Sequence, residues 1–327
     1  MVQRVLASAR NVRMVLDEYR PRLDAAGLEV VFPDGPAPTL TEDELLRLLP
    51  GCVAAVAMPD AYTARVIEAA APALKLIARS GVGYDSVDVA AARASRVWVT
   101  TTIGSNHDAV ADYTLGLILD LARRISQINA QTKSGWWGRV AGMELRGKTL
   151  GIVGTGRVGR EVAARAAAFG LRLVAFDLFP DERWAAGAGV TYLPLEGLLG
   201  QADVVTLHAP STPETRHLLN AGTLAQLKPD AYVVNTARGE LVDETALLAA
   251  LESGRLGGAA LDVFASEPPT ADERPLIEHE RVIATAHCAG AAVEAQHRAA
   301  GMALDEVLRI VAGERPRFPV PELAEMA

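Results

Sequence analysis

Gly154-Thr155-Gly156-Arg157-Val158-Gly159 has the glycine spacing of a turn that carries a dinucleotide phosphate. Gly154 allows a tight turn, Gly156 lets a pyrophosphate approach the backbone, and Gly159 lets the next helix pack on the preceding strand. Arg157 and Val158 open that helix, whose free N–H groups and dipole attract phosphate. Asp177 follows a second apolar run. It can accept a hydrogen bond from a ribose 2′-OH and repel a 2′-phosphate, which favours NAD over NADP. Three further groups stand at or beyond the ends of strand-like runs: Arg238, Glu267 and His287. An Arg offers a planar fork to a carboxylate and polarises the oxygen beside it. A His titrates near neutrality and exchanges a hydroxyl proton as hydride moves at the same carbon. A Glu against that His raises its pKa and fixes which ring nitrogen holds the proton. Clamp, proton carrier and tuner are the parts that hydride transfer at a nicotinamide requires. Each also has a plainer reading alone: a surface Arg, a structural His, a loop carboxylate.

The elements around them alternate strand and helix, the pattern of a parallel α/β architecture. Leu150 to Val153 reads as a buried strand, Val158 to Phe169 as an Ala-rich helix stopped by Gly170, and Leu171 to Phe176 as the next strand. Val204 to Leu207, Tyr232 to Val234, Ala259 to Leu261 and Val282 to Ala284 continue the series. Ligands of open α/β sheets sit beyond the carboxyl ends of the strands, so one cleft can gather Arg238, Glu267 and His287. In the first hundred residues Arg4 to Leu6, Leu28 to Phe32, Cys52 to Ala57, Leu74 to Ala78 and Val97 to Val99 read as strands, and Val12 to Ala26 as a helix. A Pro-rich loop spans Pro33 to Pro38, and Thr41 to Glu44 is a capping box. Long helices are expected over His107 to Ile125 and Ala291 to Val311. The tail from Arg315 to Pro321 holds three prolines and is expected on the surface.

With 327 residues, two domains are expected. Half the chain is hydrophobic but only 5% aromatic, which implies a core of Ala, Val and Leu. A net charge of −8 without a basic, aromatic-laced cluster argues against nucleic acid. Two cysteines, Cys52 and Cys288, make no disulfide framework. No signal-peptide h-region opens the chain, and no apolar run nears the roughly 18 residues of a membrane span. A soluble, cytoplasmic protein is expected. The histidines show no metal-ligand spacing, so no metal is expected. Trp136 and Trp137 suit a dimer interface or local packing.

Beside the nucleotide turn, Leu76 to Asp85, Leu145 to Gly151, His208-Ala209-Pro210, Asn235 to Gly239 and Asp262 to Pro268 resemble segments of the D-isomer-specific 2-hydroxyacid dehydrogenases. The resemblance runs over nearly the whole chain. It implies a Rossmann NAD-binding domain, 104–287, inserted in a flavodoxin-like substrate domain made of 1–103 and 288–327. It implies that Arg238, Glu267 and His287 take the three roles above. Arg79, Ser80, Gly81, Val82 and Gly83 become the substrate loop, with backbone N–H groups for the carboxylate. Asp262 matches an acid that holds the nicotinamide carboxamide, and Thr102, Pro210, Thr236 and Ala237 match positions lining the cofactor. A homodimer around the nucleotide domains and closure of the two domains are further implications. Arg79 aligns with an Arg that the phosphoglycerate branch uses near a substrate phosphate; a structural Arg at a strand end is an equal reading. An added C-terminal regulatory domain is not expected. Ile103, Asp112, Ala286 and Cys288 depart from the family pattern, which leaves the substrate open among 2-hydroxy acids, 3-phosphoglycerate and glyoxylate or hydroxypyruvate included. The alternative is an NAD-sensing binding protein on the same fold, like the corepressors related to this family; the absence of long disordered arms or an added interaction domain disfavours it.

Overall fold

The chain is described over residues 2–35 and 39–326 in a computed structural model, so part of the expected Pro33–Pro38 loop lies outside the described residues. It divides into two compact units, 1–106 with 291–327, and 107–290. Every strand pairing within their two sheets is parallel.

In the first unit the strands are β1 (Gln3–Ala7), β2 (Leu28–Val31), β3 (Cys52–Ala57), β4 (Leu76–Arg79) and β5 (Trp98–Thr100), in the order β2-β1-β3-β4-β5. That is the flavodoxin-like order. The strands are apolar on both sides because both faces are covered. Leu6, Ala55 and Ile77 pack with Leu45 and Ile67 on one face. Val5, Ala54 and Leu76 pack on the other against Ala300, Leu304 and Val307 of the helix Val293–Val311. The tail is not simply a surface segment. Thr101 donates to the Phe318 carbonyl at 3.1 Å and Val320 to the Val99 carbonyl at 3.0 Å, which covers the exposed edge of β5 and buries Val320.

The second unit contains β6 (Thr149–Val153), β7 (Arg172–Phe176), β8 (Val190–Tyr192), β9 (Val204–Leu207), β10 (Tyr232–Asn235), β11 (Gly258–Leu261) and β12 (Val282–Ala284). Their order is β12-β11-β10-β9-β6-β7-β8. The chain runs outward from β6 through β7 and β8, then returns to build the other half from β9. The reversal between β6 and β9 is the switch point where such sheets bind ligands. Leu207, Val233 and Leu261 face a core with Leu247 and Leu251; Leu150, Ile152 and Val234 face one with Ile118 and Val162.

Two departures from the sequence pattern matter here. The edge strand β8 has only three residues and is absent from the sequence expectation. The helix expected to reach Ile125 ends at Arg123, because Arg124 adopts a left-handed φ of 53° and the chain restarts as the helix Ile125–Lys133. Among the described residues, no helix is long and apolar enough to cross a membrane.

Candidate active site

The turn after β6 is built as the glycines require. Gly154 has φ +91°, and a Cβ there would lie 2.7 Å from the Ala209 nitrogen. A Cβ on Gly159 would lie 2.0 Å from the Gly154 carbonyl oxygen, so the helix Arg157–Ala168 sits directly on the turn. A Cβ on Gly156, by contrast, would meet nothing within 4 Å. That open face and a helix N-terminus with no side-chain cap fit a pyrophosphate group, with N–H groups of the first turn, from Arg157 on, to receive it.

Asp177 stands just past β7, on the same end of the sheet. Its Oδ2 accepts from the Thr155 N–H at 2.6 Å and the Thr155 hydroxyl at 2.9 Å, and its Oδ1 from the Phe179 N–H at 2.9 Å. Burial alone would raise its pKa, but these donors outweigh it and hold the carboxyl below its ordinary value. It is an ionised acceptor, the species a ribose hydroxyl needs.

Arg238, Glu267 and His287 come from the loops after β10, β11 and β12. His287 Nδ1 lies 2.6 Å from Glu267 Oε2. With Glu267 ionised, Nδ1–H donates and Nε2 is the nitrogen turned to chemistry. The bond to Glu267 raises the His287 pKa against the opposing effects of burial and of the Arg238 charge. For Glu267, burial pushes upward, but the His287 bond and charge, with a smaller contribution from Arg238, bring it below its ordinary value. Arg238 thus acts electrostatically on both members of the pair. The Asn235 side chain holds the loop beneath it: Oδ1 accepts from the Ala237 N–H at 3.0 Å and Nδ2 donates to the Arg238 carbonyl at 2.8 Å. That role is readable as an Asx turn closing a strand.

Asp262 does more than its sequence match implied. It is 1% exposed. Its Oδ1 accepts from the Thr285 hydroxyl at 2.6 Å and the Cys288 N–H at 2.8 Å, its Oδ2 from the Ala289 N–H at 2.8 Å, and its carbonyl from the His287 N–H at 2.7 Å. One buried carboxylate therefore pins the segment on both sides of His287, whose own φ of 51° is left-handed.

The other cofactor-lining candidates of this unit are ordered too. Thr236 is buried and shares a 3.0 Å hydroxyl contact with Thr114, whose hydroxyl donates to the Val110 carbonyl, so Thr236 must be the donor. The Pro210 carbonyl accepts from the Thr215 hydroxyl at 2.7 Å. His208 bonds the Thr206 hydroxyl at 2.9 Å, and desolvation pushes its imidazole down to about 3, so it stays neutral and cannot compete with His287 as a proton donor.

Within the first unit, the 80–83 loop is held from behind. Arg79 donates to the Gly83 carbonyl at 3.0 Å and the Ala57 carbonyl at 2.9 Å, and the Thr102 N–H donates to the Gly81 carbonyl at 3.0 Å. Asn11 donates to the Ser80 hydroxyl at 2.8 Å. Among the described residues, no protein acceptor takes the N–H groups of Gly81, Val82 or Gly83. Arg79 is 5% exposed, buried beneath the loop it fastens.

His107, Asp108 and Glu161 place potential metal ligands within 4.8 Å of one another. Arg165 already supplies a cation to them, bonding Asp108 at 2.9 Å and Glu161 and Asp112 at 2.6 Å.

Residues 115–289 match the family of D-isomer specific 2-hydroxyacid dehydrogenases at its NAD binding domain. D-3-phosphoglycerate dehydrogenase of Rattus norvegicus is 43% identical over 281 residues, 85% of this chain and 52% of the rat protein. The chain spans about half the length of the curated relatives it matches. The crystal structure of the TT0316 protein from Thermus thermophilus is similar with a TM-score of 0.87 at 39% identity, covering 97% of this chain and all of that one. D-lactate dehydrogenase from Aquifex aeolicus, complexed with NAD and lactic acid, gives a TM-score of 0.80 at 28% identity, with 95% of this chain and 96% of that one covered.

Proposed function

The chain belongs to the D-isomer specific 2-hydroxyacid dehydrogenases, and we propose that it interconverts a D-2-hydroxy acid and its 2-keto acid with NAD as the hydride carrier. The observation that carries this reading is the 2.6 Å His287–Glu267 pair beyond the strands that also deliver Arg238. The bound dinucleotide would supply the hydride in the reducing direction. Arg238 takes the substrate carboxylate and draws electron density toward the carbonyl oxygen. His287, held as imidazolium by Glu267, gives its Nε2 proton to that oxygen as the carbon is reduced, and the hydroxy acid results. In the oxidising direction the neutral imidazole takes the proton back. For the first unit we propose that the N–H groups of Gly81, Val82 and Gly83 form an anion-binding loop; their lack of other acceptors among the described residues supports this.

For the substrate, burial of Arg79 and its bonds to two carbonyls support its structural reading over a phosphate contact. The proposed substrate therefore carries one carboxylate and no required second anion. A homodimer is proposed from the exposure of Trp137, 92%, with Trp136 beside it. The test of the activity is NADH and NADPH oxidation with glyoxylate, pyruvate, hydroxypyruvate and 3-phosphohydroxypyruvate. Turnover with NADH and an unphosphorylated acid is expected. Binding of NADH without turnover on any acid would favour the NAD-sensing alternative, and preference for NADPH would contradict the reading of Asp177.

A further inference from the structure

Past β11 the backbone leaves the sheet, and two consecutive N–H groups of the loop find side-chain carboxylates. The Phe264 N–H donates to Glu267 Oε1 at 3.3 Å, and the Ala265 N–H donates to Glu244 Oε1 at 2.7 Å. The first bond steadies the Glu267 carboxylate and leaves Oε2 to His287. The second fixes the plane of the peptide between Phe264 and Ala265. Glu244 opens the helix Glu244–Glu252, which Asp243 caps by accepting from the Ala246 N–H at 3.0 Å. It therefore reaches the loop from a separate, capped element. Gly239, the neighbour of Arg238, backs the same peptide. A Cβ there would lie 2.0 Å from the Phe264 carbonyl carbon and 2.4 Å from the Ala265 nitrogen. Packing sets where the peptide lies, and the bond to Glu244 sets how it is turned. Farther along, Glu273 accepts from the Thr270 N–H at 2.5 Å and from the Thr270 hydroxyl. Glu267 thus lies between two carboxylate anchors, Glu244 before it and Glu273 after it.

We propose that Glu244 is a positioning residue: by holding the Ala265 N–H, it keeps the Glu267 carboxylate in line with His287 Nδ1. This rests on the hydride-transfer reading above. Burial raises the Glu244 pKa, the Ala265 bond opposes the rise, and the charges of Glu273 and Glu240 add to it. A carboxylate kept ionised beside two others, at a net penalty, is a poor choice for stability alone.

The experiment is an NMR titration of His287 in the histidine-labelled full chain, beside the pH profile of keto-acid reduction, with the His287 signal identified by its loss in His287→Ala. Glu244→Ala removes charge and acceptor, Glu244→Asp keeps the charge but is one methylene short, and Glu244→Gln keeps an acceptor without the charge. Glu267, Arg238 and Asp262, the charged groups that act on His287, are present in all three. In the Ala and Asp variants the His287 pKa and the alkaline limit of reduction are expected to fall by about half a unit or more, with NADH affinity within about threefold. Glu244→Gln should stay within about 0.2 unit of the parent. Added to Glu267→Gln, Glu244→Ala should shift the titration no further, since nothing is left to position. A shift in the Gln variant equal to that in the Ala variant, with none in the Asp variant, would make Glu244 a remote charge and overturn the proposal. Shifts that add in the double variant would overturn it too. If Glu244→Ala does not fold, Glu244→Asp decides alone, and a parent-like His287 titration there refutes the positioning role. No turnover by the parent on any keto acid would instead defeat the activity reading, while the NMR titration still decides the part of Glu244.

Discussion

Asp262→Asn separates two tasks that one carboxylate can have. The side chain accepts three hydrogen bonds, from Thr285, Cys288 and Ala289. An amide in either orientation presents N–H groups to at least one of those donors. At least one charge-assisted bond is therefore lost, worth about 1.5–3 kcal/mol. The bonds on either side of His287 hold a left-handed backbone, φ 51°, whose strain is about 1–3 kcal/mol. Loss and strain are of similar size, so the segment 285–289 departs from its productive arrangement a large part of the time. At roughly tenfold per 1.4 kcal/mol, kcat/KM is expected to fall by about 10–100-fold. The assay is steady-state NADH oxidation with the preferred 2-keto acid, paired with a fluorescence titration of NADH. Turnover should fall while the NADH Kd stays within about threefold, since none of these bonds touches the nucleotide turn. A variant that turns over within twofold of the parent but binds NADH weakly would refute the positioning argument. It would favour the carboxamide contact that the family resemblance implies.

Glu267→Gln should move the alkaline limit of keto-acid reduction to lower pH, because it removes the main influence raising His287 and leaves burial and Arg238 lowering it; an unaltered pH–rate profile counts against the pair. Stability should respond as well. The His287 contribution is complete below its ordinary pKa and is lost as pH rises through the raised one, while that of Glu267 is present above its ordinary pKa and is lost as pH falls through the lowered one. The parent's advantage in melting temperature over the variant should therefore peak between those limits, and a constant difference across pH would contradict the linkage. Arg79→Ala should cost about 1–3 kcal/mol of unfolding free energy in denaturant, because the Gly83 carbonyl loses its Arg79 donor and the Ala57 carbonyl keeps only the Ser80 N–H, and should not change the preference between hydroxypyruvate and 3-phosphohydroxypyruvate; a selective loss on the phosphorylated acid would restore the phosphate reading. Gly159→Ala should fold poorly or lose NADH affinity at least tenfold, because its Cβ would fall 2.0 Å from a backbone oxygen; wild-type melting and binding would contradict the packing account.

Much of this site could be read from the chain because its parts are local. The nucleotide turn, its flanking strands and Asp177 lie in one short unit where glycine spacing and apolar runs report directly on backbone geometry. Arg238, Glu267 and His287 were legible as strand-end residues, since parallel strands all deliver their carboxyl ends to one side. What escaped was either too short or too distant. The strand β8, Val190-Thr191-Tyr192, has three residues of which only Val190 is buried, so it shows no apolar run, whereas the equally short β12, Val282-Ile283-Ala284, is apolar throughout. Glu244 reaches the Ala265 N–H across 21 positions, and nothing in either residue's neighbourhood signals the other. The grip of Asp262 on both neighbours of His287 depends on backbone N–H directions, which side-chain identity does not record. The break at Arg124 is a single left-handed residue of a type that usually continues a helix.

The most direct measurement is single-turnover reduction of the preferred 2-keto acid by His287→Ala, with NADH binding titrated on the same sample. NADH should bind as in the parent while the chemical step slows by about a thousandfold or more, as loss of a general acid requires. A chemical step within tenfold of the parent, with NADH bound, would contradict His287 as the proton donor.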